Sequence, residues 1–277
     1  MTARNLNAEI HDIAQGGAAL LDKTGWFAGP DFVGMESIYE KIHYDPEPAQ
    51  PSKWDFQQYR PHVVIVAIGQ NDANPENYMA EDYDGEYSNS YYSYAWMTAR
   101  NLNAEIHDIA QGGAALLDGT GWFDGPDFMG MESIYDKIQY YPKPEKPSKW
   151  DFQQYRPHVV IVAIGQNDAN PDNYMAENYE GEKAKHWRNS YRDFVAKLRT
   201  IYPKATIILA TTILGHDANW DKAIDEVCHE LADERIHHFL YSNNGTGTPG
   251  HIRIPEAEQM SKELTAFIES LGEGIWE

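Results

Sequence analysis

The chain has little cysteine and little basic charge, and it contains no long hydrophobic run. Its single cysteine, Cys228, excludes an intrachain disulfide and a cysteine-built metal cage. Cys228 falls in the helical-looking run AIDEVCHELADE, where it reads as a packing residue. Lys and Arg number 22 against 43 Asp and Glu, a formal charge of −21. Such a field repels phosphate backbones and anionic lipid, which argues against nucleic-acid and membrane partners. No window approaches the ~20 apolar residues of a membrane span. Met1–Asp12 lacks the basic-then-apolar order of a signal peptide, so the chain as written is expected to stay in the cytoplasm.

What the chain has in excess is a copy of itself. MTARNLNAEIHDIAQGGAALLD starts at Met1 and again at Met97, and about 74 of 86 aligned positions match at a fixed offset of 96. Stacked solenoids need three or more units of roughly 20–50 residues. Here a longer unit occurs twice, and only the second copy continues into different sequence, which describes a partial duplication inside one α/β domain. At 277 residues and 42% hydrophobic, the chain can bury the core of one large domain, or of a domain with an attached fragment.

Compact β-branched runs predict strands at His62–Ile68, at its twin His158–Ile164, at Ala205–Thr211 and at Ile236–Tyr241. Their near-continuous apolar character implies burial on both faces. Helical spacing covers Lys183–Tyr202, Asn219–Ala232 and Pro255–Leu271, the last with Pro255 in its first turn and Gly272 as its stop. Strands alternating with helices predict a parallel sheet covered by helices, with ligands at the carboxyl ends of the strands. Asp22–Trp54 and Asp118–Trp150, rich in Gly, Pro and aromatics, read as long loops, which in compact domains are often functional.

The candidate chemistry falls at that carboxyl edge. His158–Ile164 runs into Gly165-Gln166-Asn167-Asp168, and its twin runs into Gly69-Gln70-Asn71-Asp72. Thr248-Pro249-Gly250-His251 follows the Ile236–Tyr241 strand and precedes the last helix. An imidazole suits acid–base work near neutrality, and an amide N–H can hold a developing oxyanion.

These blocks resemble a known family. GQND after a buried strand, Ala110-Gln111-Gly112-Gly113 after AEIHDI, and GTPGHIRIPEAEQMSKELTAFIESL near the end together resemble the SGNH hydrolases. Within them the chain is similar to carbohydrate esterase family 2, acetyl esterases acting on plant polysaccharide. The resemblance spans roughly residues 89–272. It implies a three-layer, flavodoxin-like parallel sheet flanked by helices, with Gly113 (or Gly112) and Asn167 as oxyanion donors and His251 as general base. The Asp that orients the His in many such enzymes, three residues before it, is Thr248 here. The resemblance tolerates this, because some members support the His through a backbone carbonyl.

A second departure bears directly on chemistry. The family's Gly-Asp-Ser block, which carries the nucleophile, should precede Asn89–Trp96, and no Gly-Asp-Ser occurs in the chain. The first copy's strand His62–Ile68 stands in that place, putting Gly69-Gln70-Asn71 where the serine turn would be. An asparagine has no hydroxyl for His251 to deprotonate. The organisation expected is an SGNH-like domain over residues 61–277 and a surplus segment over 1–60, whose amphipathic pattern favours burial in a homo-oligomer.

Asp72, Asp168 and His251 then remain. Paired carboxylates, or a carboxylate with an imidazole, suit glycosidic hydrolysis of an oligosaccharide, with Asn167, Asn71, Gly113, Gln166 and Gln70 binding substrate. The same oxygens could hold Ca²⁺ or Mg²⁺. Asn-Asp-Ala-Asn-Pro is equally good turn chemistry, so both aspartates also read as strand-end caps. His237-His238 alternate across a strand and make a poor metal pair. His43 has no counterpart, since position 139 is Gln. Asp217 beside His216 reads as a helix cap. Trp26, Trp122, Trp187 and Trp220 are the candidate sugar-stacking rings. The favoured expectation is a glycosidic hydrolase using Asp and His. The alternatives are an O-acetyl esterase acting on acetylated sugars through His251 and an oxyanion site, and a non-catalytic glycan-binding protein.

Overall fold

The computed structural model describes residues 64–69 (as backbone), 90–138, 140, 149–248 and 250–276. All lie within a unit running from Pro61 to Glu277. The expectations that fall on residues 1–60, with those for Gln70, Asn71 and Asp72, lie outside the described residues.

Five strands, β1 (Val64–Gly69), β2 (Glu105–Ile109), β3 (Val159–Ala163), β4 (Thr206–Ala210) and β5 (Ile236–Phe239), form one sheet in the order β2-β1-β3-β4-β5. Every neighbouring pair is parallel. The α/β architecture expected from the alternation of strands and helices is the one observed. Val-Ile-Leu runs in β3 and β4 are buried throughout, because helices cover both faces of these inner strands. The flanking strands β2 (EIHDI) and β5 (IHHF) carry His, Glu and Asp and are only partly buried.

The first-copy strand does occupy a middle slot, paired with β2 on one side and β3 on the other. Its register against its twin is offset. Gly69 stands opposite Ala163, although its sequence equivalent is Gly165. Two residues is an even step, so the alternation of faces is kept while the end of β1 stops about 6.6 Å short along the strand axis.

One face carries α2 (Met131–Ile134), α3 (Tyr174–Glu177), α4 (Glu182–Ile201) and α5 (Ala218–Leu231). The other carries α1 (Tyr94–Asn101) and α6 (Ile254–Ser270). In α4 the buried positions Ala184, Trp187, Tyr191, Phe194, Val195 and Leu198 recur at helical spacing and make one apolar stripe. Asp217 caps α5 by accepting the Asn219 N–H at 2.9 Å, the role its sequence context suggests. The N-terminus of α6 is set by Pro255 and by Glu256, whose carboxylate accepts the Arg253 N–H at 2.8 Å. Helix α1 has no counterpart among the helices that the sequence spacing predicts. Ser93 caps it, accepting the Trp96 N–H at 3.4 Å, and its buried face of Tyr94, Ala95, Thr98 and Ala99 is too short and mixed to stand out as a period.

Candidate functional site

The turn after β3 is made possible by Gly165, whose φ of 137° is one that L side chains rarely adopt; a Cβ there would lie 3.2 Å from the Trp187 ring. Gln166–Ala169 then forms a single 3-10 turn. Its three polar side chains go to three different places.

Gln166 is buried and its Nε2 donates to Thr212 Oγ1 at 3.4 Å, toward the end of β4. Its Oε1 has no hydrogen-bond partner among the described residues. Asn167 is half-buried, and its Nδ2 donates to the Ala114 carbonyl at 2.9 Å. Asp168 is fully buried, at 0% exposure. One of its oxygens accepts the Leu116 N–H at 2.8 Å; the other accepts the Leu117 N–H at 3.1 Å and the Thr120 hydroxyl at 3.1 Å. Burial raises the Asp168 pKa from 3.8 to about 6, against the lowering pull of those two N–H groups, Thr120 and the nearby Trp187 indole. The carboxylate is turned inward and holds a loop by its backbone.

That loop, which follows β2, brings in the glycines. Gly113 has φ 79°, and a Cβ on it would meet Trp122 Cβ at 3.0 Å, so glycine is required. Its carbonyl accepts the Trp122 N–H at 2.8 Å, and Asn170 Nδ2 donates to the Gly121 carbonyl at 2.5 Å. Among the described residues the N–H groups of Gly112 and Gly113 have no hydrogen-bond partner. Asp118–Trp150, expected to be loop, is loop in its described residues apart from the helical turn α2 (Met131–Ile134), and residues 110–130 are laced to the β3 turn at Asn167, Asp168 and Asn170. Trp122 stands at the edge of this loop with 67% of its surface exposed. Trp187 and Trp220, also expected as sugar-stacking rings, are core residues instead: both are fully buried, edge to face at 5.2 Å, on the core-facing stripes of α4 and α5.

His251 lies in the loop between β5 and α6 and is half-buried. The loop doubles back across the end of β4, where Thr248 bridges Leu214 in parallel and its carbonyl accepts the Gly215 N–H at 2.7 Å. On the other side Ile252 is buried among the residues packed against α6. His251 is therefore bracketed by an anchored strand-like segment and a core residue. Thr248, in the position of the family's aspartate, is itself buried.

His237 packs against Phe267 on one face, while His238 Nδ1 meets Asp225 Oδ1 at 3.0 Å on the other. The two rings point apart. Among the described residues no group of three or more His, Cys, Asp or Glu is arranged to hold a metal ion, and no helix is long and apolar enough to cross a membrane. What the sequence did not show is a polar cluster of His216, Asp221, Thr211 and Asn244 behind the His251 loop. Only the His216-Asp217 pair pointed there, and it drew attention to the wrong carboxylate.

No protein-family model matches the chain. It is 28% identical over 217 residues to the cellulase/esterase CelE of Acetivibrio thermocellus, covering 75% of this chain and 24% of that protein. It is 28% identical over 192 residues to an acetylxylan esterase / glucomannan deacetylase of Cellvibrio japonicus, covering 67% and 49%. The chain thus spans about a quarter and about half the length of these curated relatives. Among solved structures it resembles a family two carbohydrate esterase from Clostridium thermocellum in complex with cellohexaose, at TM-score 0.61 and 24% identity over 80% of this chain and 67% of that one. A family two carbohydrate esterase from Cellvibrio japonicus gives TM-score 0.61 and 24% identity over 82% and 65%. The curated relatives overturn the expectation of glycosidic cleavage, since both are named for esterase or deacetylase activity. The fold of the described unit is the SGNH-like fold of the family two carbohydrate esterases, to which the chain is similar in sequence.

Proposed function

We propose that the chain is a carbohydrate O-acetyl esterase in which His251 is the general base and Gly113 and Asn167 supply the oxyanion donors. The observation that carries this reading is the tether between Asn167 and the glycine loop. One N–H of the Asn167 amide is fixed on the Ala114 carbonyl at 2.9 Å. An amide nitrogen has a second N–H to offer, and the backbone N–H groups of Gly112 and Gly113, just before Ala114 in the chain, have no hydrogen-bond partner among the described residues.

Without a Gly-Asp-Ser block, water is the nucleophile in this proposal. His251 takes a proton from water as its oxygen adds to the acetyl carbonyl carbon, and the carbonyl electrons move onto the oxygen held by the two donors. Collapse of that intermediate breaks the bond to the sugar oxygen, which receives the proton back from the imidazolium, releasing acetate and a free hydroxyl. The exposed Trp122 indole beside Gly113 supplies a flat apolar surface for the sugar ring. Asp168 acts as scaffold, and neither Asp72 nor a bound cation is needed by this scheme.

Acetate release from acetylated xylan and from an aryl acetate, by the intact chain with and without a serine-directed phosphonate, tests the reading. Turnover that survives the phosphonate and disappears in His251→Ala supports it. Glycan binding without acetate release would leave the non-catalytic alternative standing, and sensitivity to the phosphonate would return a serine to the mechanism. Self-association through residues 1–60 is part of the same proposal. Sedimentation of the intact chain over a range of concentrations should give a mass above the monomer, and a monomer throughout would remove it.

A further inference from the structure

The loop that carries His251 is held from behind by groups that no step above uses. His216 sits where the chain leaves β4 for α5, and only 1% of its side chain is exposed. Its Nδ1 meets the Leu214 carbonyl at 2.6 Å, and its Nε2 meets the Asp221 carboxylate oxygens at 3.1 and 3.2 Å. Asp221, in the first turn of α5, also accepts the Thr211 hydroxyl at 2.5 Å and the Asn244 amide at 3.0 Å. Asn244 belongs to the loop after β5, and its Nδ2 reaches Thr211 Oγ1 at 2.9 Å. Its Oδ1 accepts the Tyr241 N–H at 3.4 Å, closing the loop on itself.

Backbone bonds continue the same seam. The Gly245 N–H donates to Thr212 at 3.1 Å, the His216 N–H to Gly245 at 3.2 Å, the Gly247 N–H to Ile213 at 2.9 Å and the Gly215 N–H to Thr248 at 2.7 Å. Gly245, at φ 67°, lies against the His216 ring, where a Cβ would come within 3.2 Å of Nε2. Two residues, Pro249 and Gly250, separate this seam from His251. Thr212, which receives the Gln166 amide, joins it to the turn that holds Asn167.

Resting on the esterase reading above, we propose that His216, clamped between Leu214 and Asp221 and joined through Asn244 to the loop after β5, is a positioning residue for His251. A buried ring bonded at both nitrogens has one orientation, and Asp221 links that ring to Asn244 in the loop after β5. Placing a general base within a few tenths of an ångström of a productive geometry is worth large factors in rate, and a misplacement of about 1 Å can cost about 100-fold.

The test has two independent readouts on the intact chain. The first is kcat and KM for acetate release by His216→Ala, Asn244→Ala, Asp221→Ala and Asp221→Asn. The second is the His251 imidazole Cε1–H signal, assigned with His251→Gln. We expect His216→Ala and Asn244→Ala to lower kcat by about 10- to 100-fold with KM within about two-fold. We expect Asp221→Asn, which can still accept from Thr211, to recover most of what Asp221→Ala loses. The His251 signal should broaden or shift in each damaged variant. Val227→Ala, in the core-facing stripe of α5 away from the clamp, controls for simple destabilisation and should leave kcat unchanged. Unchanged kcat and an unmoved His251 signal in His216→Ala would overturn the proposal, as would an equal loss of kcat in Val227→Ala. If the wild type releases no acetate, the esterase reading fails on its own. The proton signal then decides the clamp, an unmoved signal overturning it and a displaced one supporting it.

Discussion

The turn after β3 and the loop after β5 bring polar residues to the same edge of the sheet, yet they treat them in opposite ways. In the first, Asp168 faces inward, both oxygens occupied by Leu116, Leu117 and Thr120, and its task is to hold another loop. In the second, His251 is half-buried in a loop that is anchored at Thr248, at Ile252 and along the seam around His216. A titratable side chain at a strand end is therefore no guide to chemistry until its hydrogen bonds are counted. The carboxylate is structural because its acceptor capacity is filled from within.

The comparison is broken most sharply at His251. His251→Ala should lower kcat for acetate release by about 100- to 10,000-fold while the unfolding free energy from urea titration stays within about 0.5 kcal/mol of wild type. A large loss of stability would show that the imidazole holds the loop instead of serving it. Asn167→Ala comes next, expected to cost about 100- to 1,000-fold in kcat through a lost oxyanion donor. Asn167→Asp should be no better, because a carboxylate cannot donate.

The third experiment concerns Asp168 and reads stability. Its folded pKa, about 6, lies above the ordinary 3.8. Its protonated form is thus favoured by folding, and that contribution is fully present below pH 3.8 and lost as the pH rises through 6. With about 1.4 kcal/mol per pKa unit, the pH-dependent part amounts to at most about 3 kcal/mol. Urea unfolding of wild type against Asp168→Asn between pH 4 and pH 7.5 should show the wild type losing ground with rising pH. A difference that is flat across that window would mean Asp168 does not titrate there. The smallest effect is expected at Trp122, where Trp122→Ala should raise KM for acetylated xylan about 5- to 10-fold, about 1 kcal/mol, with kcat unchanged.

Much of the fold could be read from the residues. The VVIVA and TIILA runs marked inner strands because burial on both faces demands unbroken apolar sequence, and the stripe from Ala184 to Leu198 marked α4 because one side of it meets the sheet. Edge strand β2 and short α1 were harder, since EIHDI and YAWMTARN are only partly buried and carry no strong period. At the candidate site, sequence placed Gly113, Asn167 and His251 on loops that follow strands, where the structure also has them. It could not tell which way Asp168 points, because turn-capping and catalytic carboxylates are spelt alike, and only the Leu116 and Leu117 N–H groups, some 50 positions away, decide it. Trp187 and Trp220 misled for a related reason: a ring suited to stacking on sugar is equally suited to filling a core.

The offset pairing of β1 with its own duplicate has a consequence for how the molecule reaches its native state. Two stretches that spell HVVIVAIGQND compete for neighbouring lanes of one sheet, and hydrophobic content alone cannot rank the two arrangements. The decision falls to what the chain attaches to each end, since a parallel crossover closes comfortably with only one handedness. Exchange of the two lanes is therefore the misfolding this sheet is most exposed to.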